Sequence, residues 1–122
     1  LKRDLLNTLS NARIDLAAYL QLRKAKGYMS VSESEHLRDN LFELCNFMRE
    51  KAPTLKAEYG DSELMALRRA AEVLSIAGVC LMNGRHDCPN FIAVNAEKLE
   101  NCLTTISLCI MCLNKHAQLE QH

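Results

Sequence analysis

Tryptophan is absent from this 122-residue chain, and only three tyrosines and three phenylalanines are present. Large rings therefore cannot fill the interior, and a core has to be built from Leu, Ala, Ile, Val, Met and Cys. The four glycines are scattered at 27, 60, 78 and 84, so no glycine-rich loop exists to cradle a phosphate. Net charge is missing too. Fifteen basic residues balance fifteen acidic ones, leaving no overall field to draw in nucleic acid or an anionic membrane. Long apolar runs are lacking: the longest uncharged helical stretch, 101–114, falls short of the ~20 residues that span a bilayer. No uninterrupted apolar segment follows the basic start, as a secretory leader would require. The expectation is a cytoplasmic protein without a membrane segment.

The residues that are present form an ordinary globular mixture. With 48% apolar and 25% charged residues, the chain can fold as one domain spanning 1–122. Four amphipathic segments separated by breakers account for nearly all of it. Leu5, Leu9, Ala12, Leu16 and Tyr19 lie along one helical face. That segment ends in a basic turn, Arg23, Lys24 and Lys26, before Gly27, which suits both a left-handed C-cap and the helix dipole. Ser30 and Glu33 then have capping-box spacing. Leu37, Leu41, Leu44 and Met48 make the next stripe, which Pro53 ends or kinks, and 54–59 can add a further turn. Asp61 is the expected N-cap of a third helix, with Leu64, Leu67, Ala71, Leu74, Gly78 and Leu81 on its inner face. Asn83-Gly84 stops it. The last stripe is Leu99, Cys102, Ile106, Cys109 and Leu113, capped by Asn90 or Asn95. Short joints make successive helices antiparallel neighbours. The expected fold is an all-α, up-down-up-down four-helix bundle with helices at 2–26, 31–52, 62–83 and 91–118 and no sheet.

Charge is distributed unevenly. Residues 1–29 carry six basic and two acidic side chains, whereas 30–60 carry four and six. A basic first helix lying against an acidic second one explains this simply.

Six cysteines stand at 45, 80, 88, 102, 109 and 112. All but Cys88 fall in helical segments and two lie on apolar stripes, so they read as reduced, buried, small apolar side chains. Cys109, Cys112 and His116 occupy i, i+3 and i+7, so one helical face can present a zinc-ligand set completed by His86 or Cys88. A structural zinc site usually draws its Cys-x-x-Cys from a tight knuckle, and this pair sits mid-helix. No metal or other cofactor is expected. Cys109-x-x-Cys112 is also misplaced for a redox dithiol, which normally begins a helix. Arg85, His86 and Asp87 form a polar loop of the kind expected between helices. A cysteine–histidine hydrolase would need a thiolate, a histidine and an orienting group around one cleft, and a di-iron bundle would need two Glu-x-x-His motifs. Neither set is present, and the chain is expected not to be an enzyme.

Residues 26–41, Lys-Gly-Tyr-Met-Ser-Val-Ser-Glu-Ser-Glu-His-Leu-Arg-Asp-Asn-Leu, locally resemble the inter-helix turn of ribbon-helix-helix repressors. The resemblance implies a second helix whose N-terminus grips a phosphate, with Arg23, Lys24 and Lys26 as nucleic-acid contacts. That fold also needs a preceding basic strand of period two, and residues 1–9 read as helix instead. DNA regulation is therefore the second reading. The first is a small regulatory or adaptor module acting through protein–protein contact. The outer stripe of the third helix becomes apolar at Val79 and Met82, the following loop adds Phe91 and Ile92, and the uncharged last helix adds Met111. These five residues are the candidate interface, covered by a second copy in a homodimer or by another protein partner.

Overall fold

A computed structural model describes residues 2–82, 85–88 and 91–120, with side chains for 3–81 and 94–115. The chain is predominantly helical. Its elements are α1 (Lys2–Lys26), β1 (Met29–Ser30), α2 (Val31–Glu50), α3 (Ala52–Glu58), α4 (Asp61–Met82), β2 (Arg85–Cys88), β3 (Phe91–Ala93) and α5 (Ala96–Glu120). The four long helices pair mainly as α1 with α2, α2 with α4, α4 with α5, and α5 with α1. This ring of neighbours is compatible with the expected four-helix bundle.

The apolar stripes read from the sequence are the core. Leu5, Leu9 and Leu16 of α1, Leu41 of α2, Leu74 of α4 and Leu99 and Ile106 of α5 are fully buried. α4 meets both α2 and α5, and its inward positions include Ala70 and Ala77, each without exposed surface. Small residues there let neighbouring helices come close. At Gly78 the approach is extreme, since a Cβ added there would lie 2.7 Å from two carbons of the Phe42 ring.

The helix ends follow local chemistry. Gly27 has φ +82, and its N–H donates to the Arg23 carbonyl at 2.7 Å. This is the left-handed C-cap that glycine adopts without steric cost. Ser30 caps α2 in a complete capping box with Glu33. Asn95 caps α5, its Oδ1 accepting the Lys98 N–H at 3.0 Å.

Several expectations are corrected. The second helix does not run to residue 52. It stops at Glu50, and α3 starts separately with Pro53 in its first turn, where the missing N–H is not needed. Asp61 is the first helical residue of α4 rather than its cap. Gly60 holds the cap position, its carbonyl accepting from Leu64 and its N–H donating to the buried Glu63 carboxylate at 3.3 Å. The last helix begins at Ala96, not 91. The expectation of no sheet also fails: β1, β3 and β2 form a three-stranded sheet in that order, both pairs antiparallel. Met29 stands opposite Ile92 and Ser30 opposite Phe91. The sheet thus ties the α1–α2 turn to the α4–α5 connection. Asn83-Gly84 and Asn90 lie outside the described residues.

Replacing a helical glycine by alanine ordinarily adds about 1 kcal/mol of helix propensity. At Gly78 the clash with Phe42 outweighs it, because overpacking costs roughly 1–3 kcal/mol. Gly78→Ala is expected to lower the urea midpoint, and Phe42→Leu in the same background should recover most of the loss. An equal effect of Gly78→Ala with either residue at 42 would reject the steric account.

Candidate functional site

The sequence offers two surfaces, and the structure treats them differently. The first is the α1–α2 turn with its three cations. Lys26 Nζ lies 3.0 Å from the Glu33 carboxylate and 4.9 Å from the centre of the Tyr28 ring. Glu33 Oε1 also accepts from the Ser30 hydroxyl at 2.8 Å and the Ser30 N–H at 3.3 Å. The donors of Ser30, with Lys26 behind them, hold the Glu33 carboxyl below the usual carboxylate range. A phosphate arriving at this helix start would have to displace a carboxylate already seated there. The strand required by the ribbon-helix-helix resemblance is missing, because α1 occupies 2–26. β1 is two residues long and pairs with β3 of the same chain.

Deeper in the same turn, the Tyr19 hydroxyl and Ser34 Oγ are 2.8 Å apart in a buried contact. Ser34 can also donate to the Ser30 carbonyl at 3.0 Å. Burial pushes the Tyr19 phenol up, against the lowering effect of its Ser34 hydrogen bond. This chain of hydroxyls fastens α1 to α2 and is structural. Glu33 and His36 have a single Glu-x-x-His spacing and border a shallow recess with Asp15, yet Glu33 is already committed to the cap.

The second surface is the outer side of α4 and α5. Burial pushes the Cys102 thiol up, and neighbouring Cys80 adds to the shift. Cys80 is near the end of α4 and Cys102 near the start of α5, so these two ends are neighbours. Val79 is 43% exposed and Met111 65% exposed. They are not side by side. Val79 lies level with the start of α5, and Met111 is nine residues beyond Cys102, roughly 14 Å along the axis. Each instead has an apolar companion one turn away. Ile76 joins Val79 on α4, and Leu108 joins Met111 on α5; both companions are exposed. Ile76 and Leu108 lie beside, not on, the outer positions that the sequence pattern singles out at Val79, Met82 and Met111. Met82 is helical while Phe91 and Ile92 are strand positions, and their side chains lie outside the described residues.

The face of α5 around Leu108 and Met111 has an unusual polarity. It carries no charge across 101–114. Thr104, Thr105 and Ser107 donate their hydroxyls to the carbonyls four residues back, at 3.1, 3.1 and 2.9 Å. Their donors are satisfied within the helix, so covering them with another apolar surface strands no hydroxyl hydrogen.

The other proposed chemistry is located as follows. Cys45, Cys80, Cys102 and Cys109 are buried, Cys112 is half-buried, and all five are free thiols. Burial raises the thiols of Cys45, Cys102 and Cys109, which disfavours the nucleophilic or metal-binding thiolate. The side chains of His116, His86 and Cys88 lie outside the described residues. Among the described residues no His, Cys, Asp or Glu group has metal-holding geometry, and no helix is long and apolar enough to cross a membrane.

A family model described as "YliH: Biofilm formation protein (YliH/bssR)" matches residues 1–121. The protein called Biofilm regulator BssR in Escherichia coli strain K12 is 58% identical over 118 residues, covering 97% of this chain and 93% of that protein. The proteins of the same name in Escherichia coli O157:H7 and Shigella flexneri show the same identity and coverage. No solved structure matches the chain. This chain belongs to the YliH/BssR biofilm formation protein family.

The capping box makes a pH prediction. The Glu33 pKa is lowered in the folded protein, so its stabilisation is present above the unfolded carboxylate pKa and fades as pH falls through the folded value. Acid unfolding of Glu33→Gln should lack that component of the slope. Ser30→Ala, which removes the cap oxygen, should cost about 1 kcal/mol at neutral pH. Superimposable acid profiles for the parent and Glu33→Gln would contradict the assignment.

Proposed function

We propose that this member of the YliH/BssR family is a non-enzymatic cytoplasmic regulator of biofilm formation that works through protein–protein contact, and that it self-associates through the outer side of α4 and α5. The observation carrying this reading is the charge-free face of α5. Leu108 and Met111 stand exposed on it, among hydroxyls whose donors are already used. Fully burying such a side chain is worth roughly 1.5–3 kcal/mol. Association entropy and side-chain ordering oppose this by several kcal/mol or more, so the contact has to be broad. A two-fold axis lets one face cover itself, and the Ile76–Val79 pair on α4 extends the area. An up-down-up-down course for the four long helices belongs to the same reading, since it sets α4 and α5 side by side as one continuous outer wall.

The regulatory role itself comes from kinship with the biofilm regulators. DNA binding is the weaker mechanism, because Lys26 is paired with Glu33 and the helix start is already occupied by that carboxylate.

Sedimentation equilibrium at micromolar concentration should give a dimer. Leu108→Glu and Val79→Asp should each shift it to monomer with helix content unchanged by circular dichroism. A monomeric parent protein would reject self-association and leave this face for a different protein. A salt-sensitive footprint on duplex DNA, abolished by Arg23→Gln, Lys24→Gln and Lys26→Gln together, would reject the non-DNA mechanism.

A further inference from the structure

Where α2 and α3 meet α4 lies a cavity of about 240 Å³. It exists because α2 ends at Glu50 and the chain restarts as α3 at Ala52, so α3 leans over the α2–α4 seam rather than extending it. Leu55 of α3 and Leu67 of α4 are buried at this cavity, and Leu64 is half-buried beside them. The wall is closed by Cys45, whose thiol lies 3.6 Å from the Ala71 carbonyl.

The charge around it has one sign. Arg49 from α2, Lys56 from α3 and Arg68 from α4 all border the cavity, and no acidic side chain does. None of the three is in an ion pair among the described residues. Arg69, the neighbour of Arg68, is the one that pairs with Glu72, at 3.3 Å. Three cations from three separate elements therefore border one apolar recess, in a chain that is neutral overall. Ligand sites have this composition: a mostly apolar lining with a few polar groups that fix orientation. Guanidinium forks match a planar carboxylate. The volume exceeds the roughly 150 Å³ that accommodates benzene, so a ring or short alkyl chain with an acid arm fits.

We propose that the cavity between α2, α3 and α4 binds a small amphipathic carboxylate, with its apolar body on Leu55, Leu64 and Leu67 and its anion facing Arg49, Lys56 and Arg68. The occupant is an aryl- or alkyl-carboxylate rather than a bare anion, because the cations border an apolar floor and a bare anion would leave that floor empty.

The test is a titration of the full chain with 3-phenylpropionate, followed by ¹H–¹⁵N shifts. Shifts should cluster in α3 and the facing turns of α2 and α4. Arg49→Gln combined with Arg68→Gln should weaken binding by about tenfold or more, since both side chains are exposed and their loss leaves the core intact. Ala71→Leu should fill the recess and abolish binding while keeping all three cations. 3-Phenylpropanamide and inorganic phosphate, which each carry half of the chemistry, should bind at least tenfold more weakly. No shifts at millimolar 3-phenylpropionate would overturn the site. Equal binding of the amide would remove the role of the cations, and equal binding of phosphate would reduce the site to surface charge; either result rejects the proposal.

Discussion

The close contact of α4 with its neighbours is the constraint on which this bundle depends. A chain without tryptophan has no large ring to bridge wide gaps between helices. The helices must instead approach until aliphatic side chains interdigitate at the density of a protein interior. α4 permits this with Ala70, Ala77 and Gly78 at its inward positions. The Phe42 ring sits where a side chain at 78 would otherwise be. One of the few aromatic residues is thus placed against the one position in α4 that has no side chain. With α2 and α5 fixed on either side of α4, α1 closes the ring through its leucines and the Tyr19–Ser34 hydroxyl contact.

Features that depend on residues within one or two helical turns were legible in the sequence. The helical stripes, the Gly27 terminus and the Ser30–Glu33 box all rest on spacings of three or four residues, and all occur in the structure. The sheet was not legible. β1 has only two residues, too few to show alternation, and its partner is more than sixty positions away. Pairing of Met29 with Ile92 is a tertiary event that no local pattern encodes. The start of α4 was misread for a related reason. Asp61 has a better capping side chain than Gly60, but the buried Glu63 reaches back to the Gly60 N–H and satisfies that donor from inside the helix.

The two proposed sites differ in the same way. The uncharged face of α5 is continuous in sequence and could be read directly, including Met111. What the sequence concealed was distance along the axis: Val79 lies beside the Cys102 end of α5 and Met111 lies further along that helix, each paired with an apolar residue one turn away. The cavity left no linear trace. Arg49, Lys56 and Arg68 have no common period and sit on three different elements. Only the break after Glu50, which carries α3 across the α2–α4 seam, brings them together. Pro53 was visible as a breaker, but its consequence is a change of chain direction, and direction is not contained in a breaker.

Pro53 shapes the proposed carboxylate site through the joint it makes between α2 and α3. An uninterrupted helix through 50–58 would prolong the α2–α4 seam and pack it shut. Because proline lacks the N–H needed inside a helix but is tolerated in a first turn, the chain ends one helix and begins another within two residues. Leu55 still reaches the core, and the Lys51 and Leu55 carbonyls still receive the Leu55 and Tyr59 N–H groups at 2.9 Å. The backbone keeps its hydrogen bonding through the bend, while the side chains can no longer fill the space that the bend opens. A recess with a stable frame and an unfilled centre is the physical requirement for holding a ligand. Here it arises at the joint where Pro53 divides the helical pattern.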